Sequence, residues 1–253
     1  MLHAFYKNAG AEQSGWIKNK LCTASNIEKS HMKKPVELII FDWDGTLFDS
    51  VGQIVESLMF AAEKYQQPLT TEDAKSIIGL GLPEVAERLF PMVPELHADI
   101  LQCYSEHYVA NSKGDVWFAG VSEMLVDLKD KGVHLAVATG KSRKGLDRVL
   151  QQTQSEAMFV ATRAASETKS KPDPLMLNEI LAQTGIRAEH AIMVGDTSYD
   201  LQMAKNIEMP RVGVLYGVHD HQVLSQFAPL AIVSDVRKLH DFLLAQVQDI
   251  ELI

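Results

Sequence analysis

The chain has 253 residues, 46% of them hydrophobic and 23% charged, so it can bury a sizeable core and is not a disordered segment. Its formal net charge is -9. A surface of that sign repels phosphate backbones and anionic lipid, so we expect neither nucleic acid nor a membrane as a partner. Two cysteines, Cys22 and Cys103, provide neither a disulfide framework nor a metal-ligand spacing. A reduced, cytoplasmic protein is therefore expected.

Residues 1–31 differ from the rest of the chain. They are polar, show no periodicity and end just before Met32, after which a strand pattern begins almost at once. A polar start followed directly by a strand is a common beginning for a globular domain. We therefore expect residues 1–31 to be a leader outside the core: either Met32 is the natural start, or the leader is not native or is a loose extension.

After Met32, short apolar runs alternate with amphipathic stretches. Runs that are rich in aliphatic residues and end in Gly, Asp or Thr are typical of buried parallel strands. The strand candidates are 36–41, 133–138, 191–194 and 211–215, with weaker ones at 158–161 and 231–233. The helix candidates are 121–131, 143–152, 174–184, 199–206 and 236–246. This alternation predicts an α/β fold with a doubly wound, Rossmann-like parallel sheet.

One block breaks the alternation, since residues 50–114 contain helical patterns and no convincing strand. The helical patterns cover 54–65, 71–78, 84–90 and 94–110. A block inserted after the first strand lies over the carboxyl end of that strand, where open α/β sheets bind ligands. We therefore predict a second, smaller all-helical cap domain at 50–114, on a core formed by 32–49 and 115–253.

The first motif that carries chemistry is DWDGTLFDS, residues 42–50, at the end of the first strand. Asp42 and Asp44 are two residues apart, and Gly45 permits the tight turn that follows. One carboxylate of such a pair can ligate a divalent cation and attack phosphorus, while the other acts as general acid and base. A bare Asp-x-Asp-Gly is more often a solvated turn, but the extended motif is a strong signal. Trp43 is expected to point away into packing.

The second motif, ATGKS at 138–142, again joins a strand end to a helix pattern. The hydroxyl of Thr139 and the free N–H groups at a helix start can bind phosphate, and ordinary N-capping is the alternative. The letters GKS match the end of a P-loop. That motif requires a glycine five residues before its final glycine, and Leu135 stands there, so a P-loop is excluded.

Two further motifs are KPDP at 171–174 and GDTSYD at 195–200. Lys171 can neutralise a transferring phosphoryl group or hold a nucleophile as its anion, although a lone lysine in a proline-rich turn is usually solvated. Asp196 and Asp200 lie four residues apart at a predicted helix start. Such carboxylates suit Mg²⁺, which prefers hard oxygen ligands, and an acidic first helical turn is the alternative.

In this order and spacing, the four motifs resemble those of the haloacid dehalogenase superfamily. The helical block is similar to the α-helical cap of its phosphoglycolate phosphatase-like and β-phosphoglucomutase-like members, and the resemblance covers the chain from Met32 onward. It implies an Mg²⁺-dependent phosphatase that hydrolyses a small phosphorylated metabolite, such as phosphoglycolate or a sugar phosphate, through an aspartyl-phosphate. We expect a monomer or a homodimer.

The resemblance implies a catalytic or metal-binding role for three aspartates. Asp42 is the nucleophile, and Asp44 is the general acid and base. Mg²⁺ is held by Asp42, the backbone carbonyl of Asp44 and Asp196.

The resemblance assigns the phosphoryl group to another set of residues. Thr139, the amide of Gly140 and Lys171 bind it. Asp200 has an indirect role, since it orients Lys171 or a metal-bound water molecule and does not itself contact the reacting atoms.

Other activities use the same motifs. A phosphomutase of the β-phosphoglucomutase type would return the phosphoryl group to a sugar, and a non-catalytic binder of phosphometabolites would only hold it. The acid function of Asp44 argues against such a binder and against a dehalogenase, since neither needs an acid there. The cap should select the substrate. Its glycine-rich loop 79–84 suits a segment that faces the site or a plain connection, whereas Arg88 and Lys75 are expected on exposed helix faces.

Overall fold

The computed structural model describes residues 35–112 and 117–247. The predicted leader at 1–31 therefore lies outside the described residues, as does the predicted cap boundary at 114. Within the described ranges, no helix is both long and apolar enough to cross a membrane.

One sheet of six parallel strands forms the centre, in the order β3-β2-β1-β4-β5-β6. The strands are β1 (Leu38–Phe41), β2 (His134–Thr139), β3 (Ala161–Ala164), β4 (Ala191–Gly195), β5 (Arg211–Val214) and β6 (Ala231–Val233). The chain winds to one side of β1 through β2 and β3, and to the other through β4, β5 and β6. The doubly wound parallel sheet is thus confirmed, and its ligand crevice is expected at the carboxyl end of β1.

Helices follow or connect these strands. They are α1 (Val51–Lys64), α2 (Thr71–Ser76), α3 (Leu82–Leu89), α4 (His97–Ala110), α5 (Val121–Asp130), α6 (Arg143–Thr153), α7 (Leu175–Thr184), α8 (Ser198–Lys205), α9 (His221–Leu224) and α10 (Val236–Gln246). Short 3₁₀ turns lie at Pro94–Leu96, Glu156–Met158, Ala188–His190 and Ser225–Phe227.

Strand β1 sends alternate side chains into two apolar layers, because successive residues of a strand point to opposite faces. Leu38 and Ile40 pack in a layer with side chains of α7 and α8. Ile39 and Phe41 pack in the other layer with side chains of α5, α6 and α10. Burial on both faces is the reason that this strand reads in the sequence as a continuous apolar run.

The prediction for β3 is wrong by three residues. The expected strand 158–161 begins only at Ala161, whose register partner is Ala136 of β2. The segment before it forms the 3₁₀ turn Glu156–Met158. Met158 and Phe159 pack against the core from that turn, so the apolar signal came from packing and not from sheet pairing.

Helices α1 to α4 form the predicted all-helical block, with apolar clusters of their own. One cluster contains Ile54, Leu58 and Ile78, and another contains Ala62, Phe90 and Ile100. No strand occurs among residues 50–112, within the described part of the chain. The second, helical unit is therefore confirmed, while its limits at 50 and 114 stay a prediction.

Trp43 is fully buried, as expected from its place between the two aspartates of the first motif. Its ring centroid lies 5.1 Å from that of Trp117 and 5.5 Å from that of Phe48. A β-bridge also joins Phe48 to Trp117. The Trp43 indole therefore packs the turn after β1 against the segment that returns from the helical block.

We expect Trp43→Ala to lower the free energy of unfolding by about 3 to 5 kcal/mol, because it leaves a cavity in the core under the first motif. The measurement is urea unfolding followed by circular dichroism. Met92→Ala is the control, since Met92 is 86% exposed and should change stability by less than about 0.5 kcal/mol. Equal stability of the two variants would contradict this account of the turn.

Candidate active site

The turn after β1 carries Asp42 to the carboxyl edge of the sheet. The Asp42 amide donates to the carbonyl of Val194, 2.9 Å away, which continues the ladder between β1 and β4. Gly45 then adopts φ +79°, a conformation that glycine adopts without strain. A Cβ at this position would overlap the Asp196 carboxylate. Gly45 is therefore required both for the turn and for the close approach of Asp196.

Three buried carboxylates meet where β1 and β4 end. Asp42, Asp196 and Asp200 each place an oxygen within 4.8 Å of the other two, and each is at most 1% exposed. Parallel strands place their carboxyl ends at one edge, which is how motifs more than 150 residues apart converge.

Lys171 lies between two of these carboxylates. Its Nζ is 2.7 Å from Oδ1 of Asp42 and 2.6 Å from Oδ1 of Asp200, and its side chain is fully buried. Burial alone would lower the pKa of Lys171, but the charges of Asp200 and Asp42 hold that pKa above its ordinary value. A solvated lysine is therefore excluded, and Lys171 is a buried cation.

The site has more negative than positive charge. Burial raises the pKa of Asp42, and burial together with the Asp200 charge raises the pKa of Asp196 to about 7. Oδ2 of Asp42 is buried and has no hydrogen-bond partner. Buried charges need an opposite charge or a metal ion, and three carboxylates around one ammonium leave room for a divalent cation. The residues present thus fit a hard metal ion.

The carboxylates differ in how many of their oxygens are already used. Asp200 accepts from Lys171 through Oδ1 and from Thr197 through Oδ2, where it completes the capping box of α8. Asp196 accepts from the Thr46 hydroxyl at 3.0 Å and the Val218 amide at 2.8 Å. Asp42 retains an unpartnered oxygen. Asp200 is therefore better placed to fix Lys171 than to bind the metal, although its predicted role stays a prediction.

Asp44 faces a different set of partners from Asp42. Its Oδ1 accepts from the Ser50 hydroxyl at 2.5 Å and lies 2.8 Å from Nζ of Lys141. Burial would lower the pKa of Lys141, but the Asp44 carboxylate beside it holds that pKa above its ordinary value. Lys141 is a site residue that the sequence motifs do not single out. It lies in the second motif, two residues after Thr139, but nothing in the sequence indicates which carboxylate it contacts.

The predicted phosphate-binding residues lie at the end of β2, next to β1. Thr139 is fully buried, and its hydroxyl accepts from the Lys141 amide at 3.2 Å. A Cβ on Gly140 would lie 2.6 Å from the carbonyl oxygens of Gly79 and Leu80. The glycine-rich loop of the helical block therefore lies directly on this strand end and faces the site.

Further contacts join the helical block to the core. The amide of Gly81 donates to the Ser170 hydroxyl at 2.8 Å. The hydroxyl of Tyr199 on α8 donates to the carbonyl of Ser76 at 2.8 Å and accepts from Arg88 at 3.0 Å. Arg88 thus contacts Tyr199 on an exposed surface, which confirms the expectation that it lies on an exposed helix face.

The sequence model of the haloacid dehalogenase-like hydrolase family matches residues 39–214. The phosphoglycolate phosphatase of Vibrio cholerae serotype O1 is 29% identical over 223 residues, which cover 83% of this chain and 98% of that protein. The protein named Probable phosphatase IndB of Dickeya dadantii is 33% identical over 210 residues, covering 78% and 88%. The structure of a hydrolase from Pseudomonas syringae aligns with a TM-score of 0.76 at 22% identity, covering 83% and 98%, and supports the fold.

The chain belongs to the haloacid dehalogenase-like hydrolase family. Within that family its relatives identify it as a phosphatase enzyme. The motif residues predicted to form the site do lie together, while the individual role of each remains to be tested.

Lys171→Met should lower the free energy of unfolding by about 3 to 5 kcal/mol in metal-free buffer, because it leaves Asp42 and Asp200 buried without their cation. Chemical denaturation in EDTA gives the value. Lys169→Met is the matched control, since Lys169 is 69% exposed and its ion pair with Asp173 is superficial, so its loss should cost less than about 1 kcal/mol. A Lys171 variant as stable as the control would contradict the buried-cation assignment.

Proposed function

We propose that this chain is an Mg²⁺-dependent phosphatase that hydrolyses a small phosphorylated metabolite through an aspartyl-phosphate on Asp42. The observation that carries the proposal is the state of Asp42 at the carboxyl end of β1. Its Oδ1 contacts Lys171, whereas its Oδ2 is buried without a hydrogen-bond partner and is available for a metal ion or a phosphorus atom.

In the first step, a carboxylate oxygen of Asp42 attacks phosphorus and forms an acyl phosphate. The phosphorus–ester oxygen bond breaks, and Asp44 donates a proton to the departing oxygen. Lys171 offsets negative charge on the transferring group, and Thr139 and the Gly140 amide hold that group in place.

In the second step, water attacks the phosphorus of the acyl phosphate. Asp44, now a carboxylate, accepts a proton from that water, inorganic phosphate leaves, and the Asp42 carboxylate is restored. Mg²⁺, held by Asp42, Asp196 and the backbone carbonyl of Asp44, would supply positive charge against the oxygens of the phosphoryl group when bound.

The carboxyl group of Asp44 is held in place by two contacts. Lys141 and Ser50 fix its Oδ1 and leave the carboxyl group oriented toward one face of the site. A protein that only bound phosphometabolites would gain nothing from holding a second carboxylate near an anionic ligand. The arrangement therefore favours catalysis over binding alone.

The helical block covers the strand ends that carry the reacting groups. The carbonyls of Gly79 and Leu80 lie against Gly140, and Tyr199 and Ser170 hold the surrounding loop. Release of product then requires the helical block to move away from the strand ends. The phosphoglycolate phosphatase relative supports a small phosphorylated substrate. A phosphomutase would use the same contacts to the phosphoryl group and would need further contacts to the second acceptor.

Phosphate release from p-nitrophenyl phosphate should require Mg²⁺, stop in EDTA, and fall at least about a thousandfold in Asp42→Asn, because the amide is a far poorer nucleophile than the carboxylate. The assay is a continuous record of p-nitrophenolate absorbance. Asp130→Asn on the exposed end of α5 removes the same charge and should retain full activity. Turnover by the Asp42 variant or in EDTA would contradict the proposed mechanism.

Asp44→Asn should release about one equivalent of p-nitrophenolate in a rapid burst and then stall. p-Nitrophenolate is a good leaving group that needs no acid, whereas hydrolysis of the acyl phosphate needs the base. Rapid-mixing absorbance and intact-protein mass spectrometry measure the burst and the trapped phosphoryl group. Steady turnover without a burst would exclude Asp44 as the general base for the second step, and loss of both steps would contradict the premise that this leaving group needs no acid.

A further inference from the structure

We propose that the cavity beside Asp44 binds the leaving group of the substrate, and that this group is bulky, with an apolar body and a second anionic group that Arg148 recognises. The proposal rests on the phosphatase function above and adds the substrate class to it. It depends on the size of the cavity, the chemistry of its walls and the unpaired charge of Arg148.

The cavity has a volume of about 760 Å³ and lies between helices of the helical block and α6. Asp44 is one of its lining residues, so it starts at the proton donor for the leaving group. Sites for whole small molecules commonly occupy roughly 300 to 1,000 Å³. A leaving group of two carbons would therefore occupy only a small part of this space.

The walls contributed by the helical block are apolar. Ile54 and Leu58 of α1, Ile77 and Leu80 of the α2–α3 connection, and Val85 of α3 line the cavity and are buried. Apolar walls stabilise a ligand in proportion to the apolar area that the ligand removes from water. A small, fully polar leaving group such as glycolate gains little from them, whereas an aromatic or branched aliphatic body gains much.

Tyr108 of α4 lies between two cations at the wall formed by α6. Nζ of Lys141 is 5.1 Å from the centroid of its ring, and the guanidinium carbon of Arg148 is 5.5 Å from it. Lys141 is already paired with Asp44 at 2.8 Å. Arg148 therefore lines the same cavity as Asp44, but the Asp44 carboxylate is paired with Lys141 and not with Arg148.

Arg148 is a half-buried cation of the cavity wall, and no carboxylate among the described residues pairs with it. Within residues 35–112 and 117–247, no ion pair joins it to an acidic residue, and its buried Nε has no hydrogen-bond partner. A guanidinium held in this way is costly unless a ligand satisfies it, and its planar donors match a carboxylate or phosphate. A second anionic group on the substrate would satisfy both requirements.

The other charged residues that line the cavity do not cancel Arg148. Glu106 is exposed at the rim and accepts from Gln102 at 2.8 Å, and Lys144 is exposed as well. The tyrosines Tyr104 and Tyr108 stay neutral, because burial raises the pKa of both phenols. The interior of the cavity therefore combines apolar walls with the guanidinium of Arg148, which no described carboxylate neutralises, and this favours an amphipathic anion.

Two pairs of inert substrate analogues test this inference without depending on turnover. Phenylphosphonate and its 3- or 4-carboxy derivatives present the phosphoryl group and an aromatic body, with and without the second anion. Methylphosphonate presents the phosphoryl group without the aromatic body. Calorimetric titration with Mg²⁺ present should show at least one carboxyphenylphosphonate isomer binding about tenfold more tightly than phenylphosphonate, and phenylphosphonate binding more tightly than methylphosphonate.

In Arg148→Gln, the tenfold preference for the carboxylated ligand should be lost, since glutamine retains much of the side-chain volume but not the charge. Arg237→Gln is the matched control, because Arg237 is exposed on α10 and the same charge is removed away from the cavity. The control should keep the wild-type ratio of the two affinities. A ratio near one in the wild type, or a ratio unchanged by Arg148→Gln, overturns the proposed recognition.

Failure of the phosphatase proposal would look different. Absence of Mg²⁺-dependent phosphate release from every ester, with the affinity ratio and its loss in Arg148→Gln both present, would refute the catalytic function and keep the pocket assignment. Normal phosphate release combined with equal affinities would keep the function and refute the pocket assignment. Failure of all the phosphonates to bind in the presence of Mg²⁺ overturns the pocket assignment as well.

Discussion

The ion pair of Lys171 with Asp42 and Asp200 is the interaction on which the site depends. A fully buried ammonium is tolerated only because two carboxylates lie within 2.7 Å of it, and those carboxylates are tolerated only because the ammonium is there. The carboxylates of Asp42, Asp196 and Asp200 lie close enough together that they could hold a metal ion. The proposed attack on phosphorus and the proposed binding of a metal ion both depend on this cluster.

The sheet provides the geometry that this cluster needs. Strands β1 and β4 are adjacent and parallel, so the residues that follow them reach the same edge. Glycine at position 45 then allows Asp196 to approach the turn that carries Asp42 and Asp44, and Gly217 and Gly195 likewise have no room for a Cβ beside Asp196 and Asp200. The carboxylates are held by backbone packing, so they need little reorganisation before reaction.

The helical block and the core contribute different kinds of residue to this region. The core supplies the buried charged groups of Asp42, Lys171 and Asp196, whereas α1 to α4 supply apolar walls and Tyr108 to the adjoining cavity. Arg148 belongs to the core but lines the same cavity, beside the ring of Tyr108. Under the proposed function, changes in the helical block would alter the substrate while Asp42, Lys171 and Asp196 stay in place.

The sequence by itself determined the strand order along the chain, the helical insertion and the residues of the four motifs. It could do so because strands buried on both faces produce continuous apolar runs and because each motif is local. Tertiary structure alone decided the pairing of Lys141 with Asp44, the start of β3 at Ala161 and the place of Arg148 in the cavity. These depend on contacts between segments far apart in the chain, whose packing no local pattern encodes.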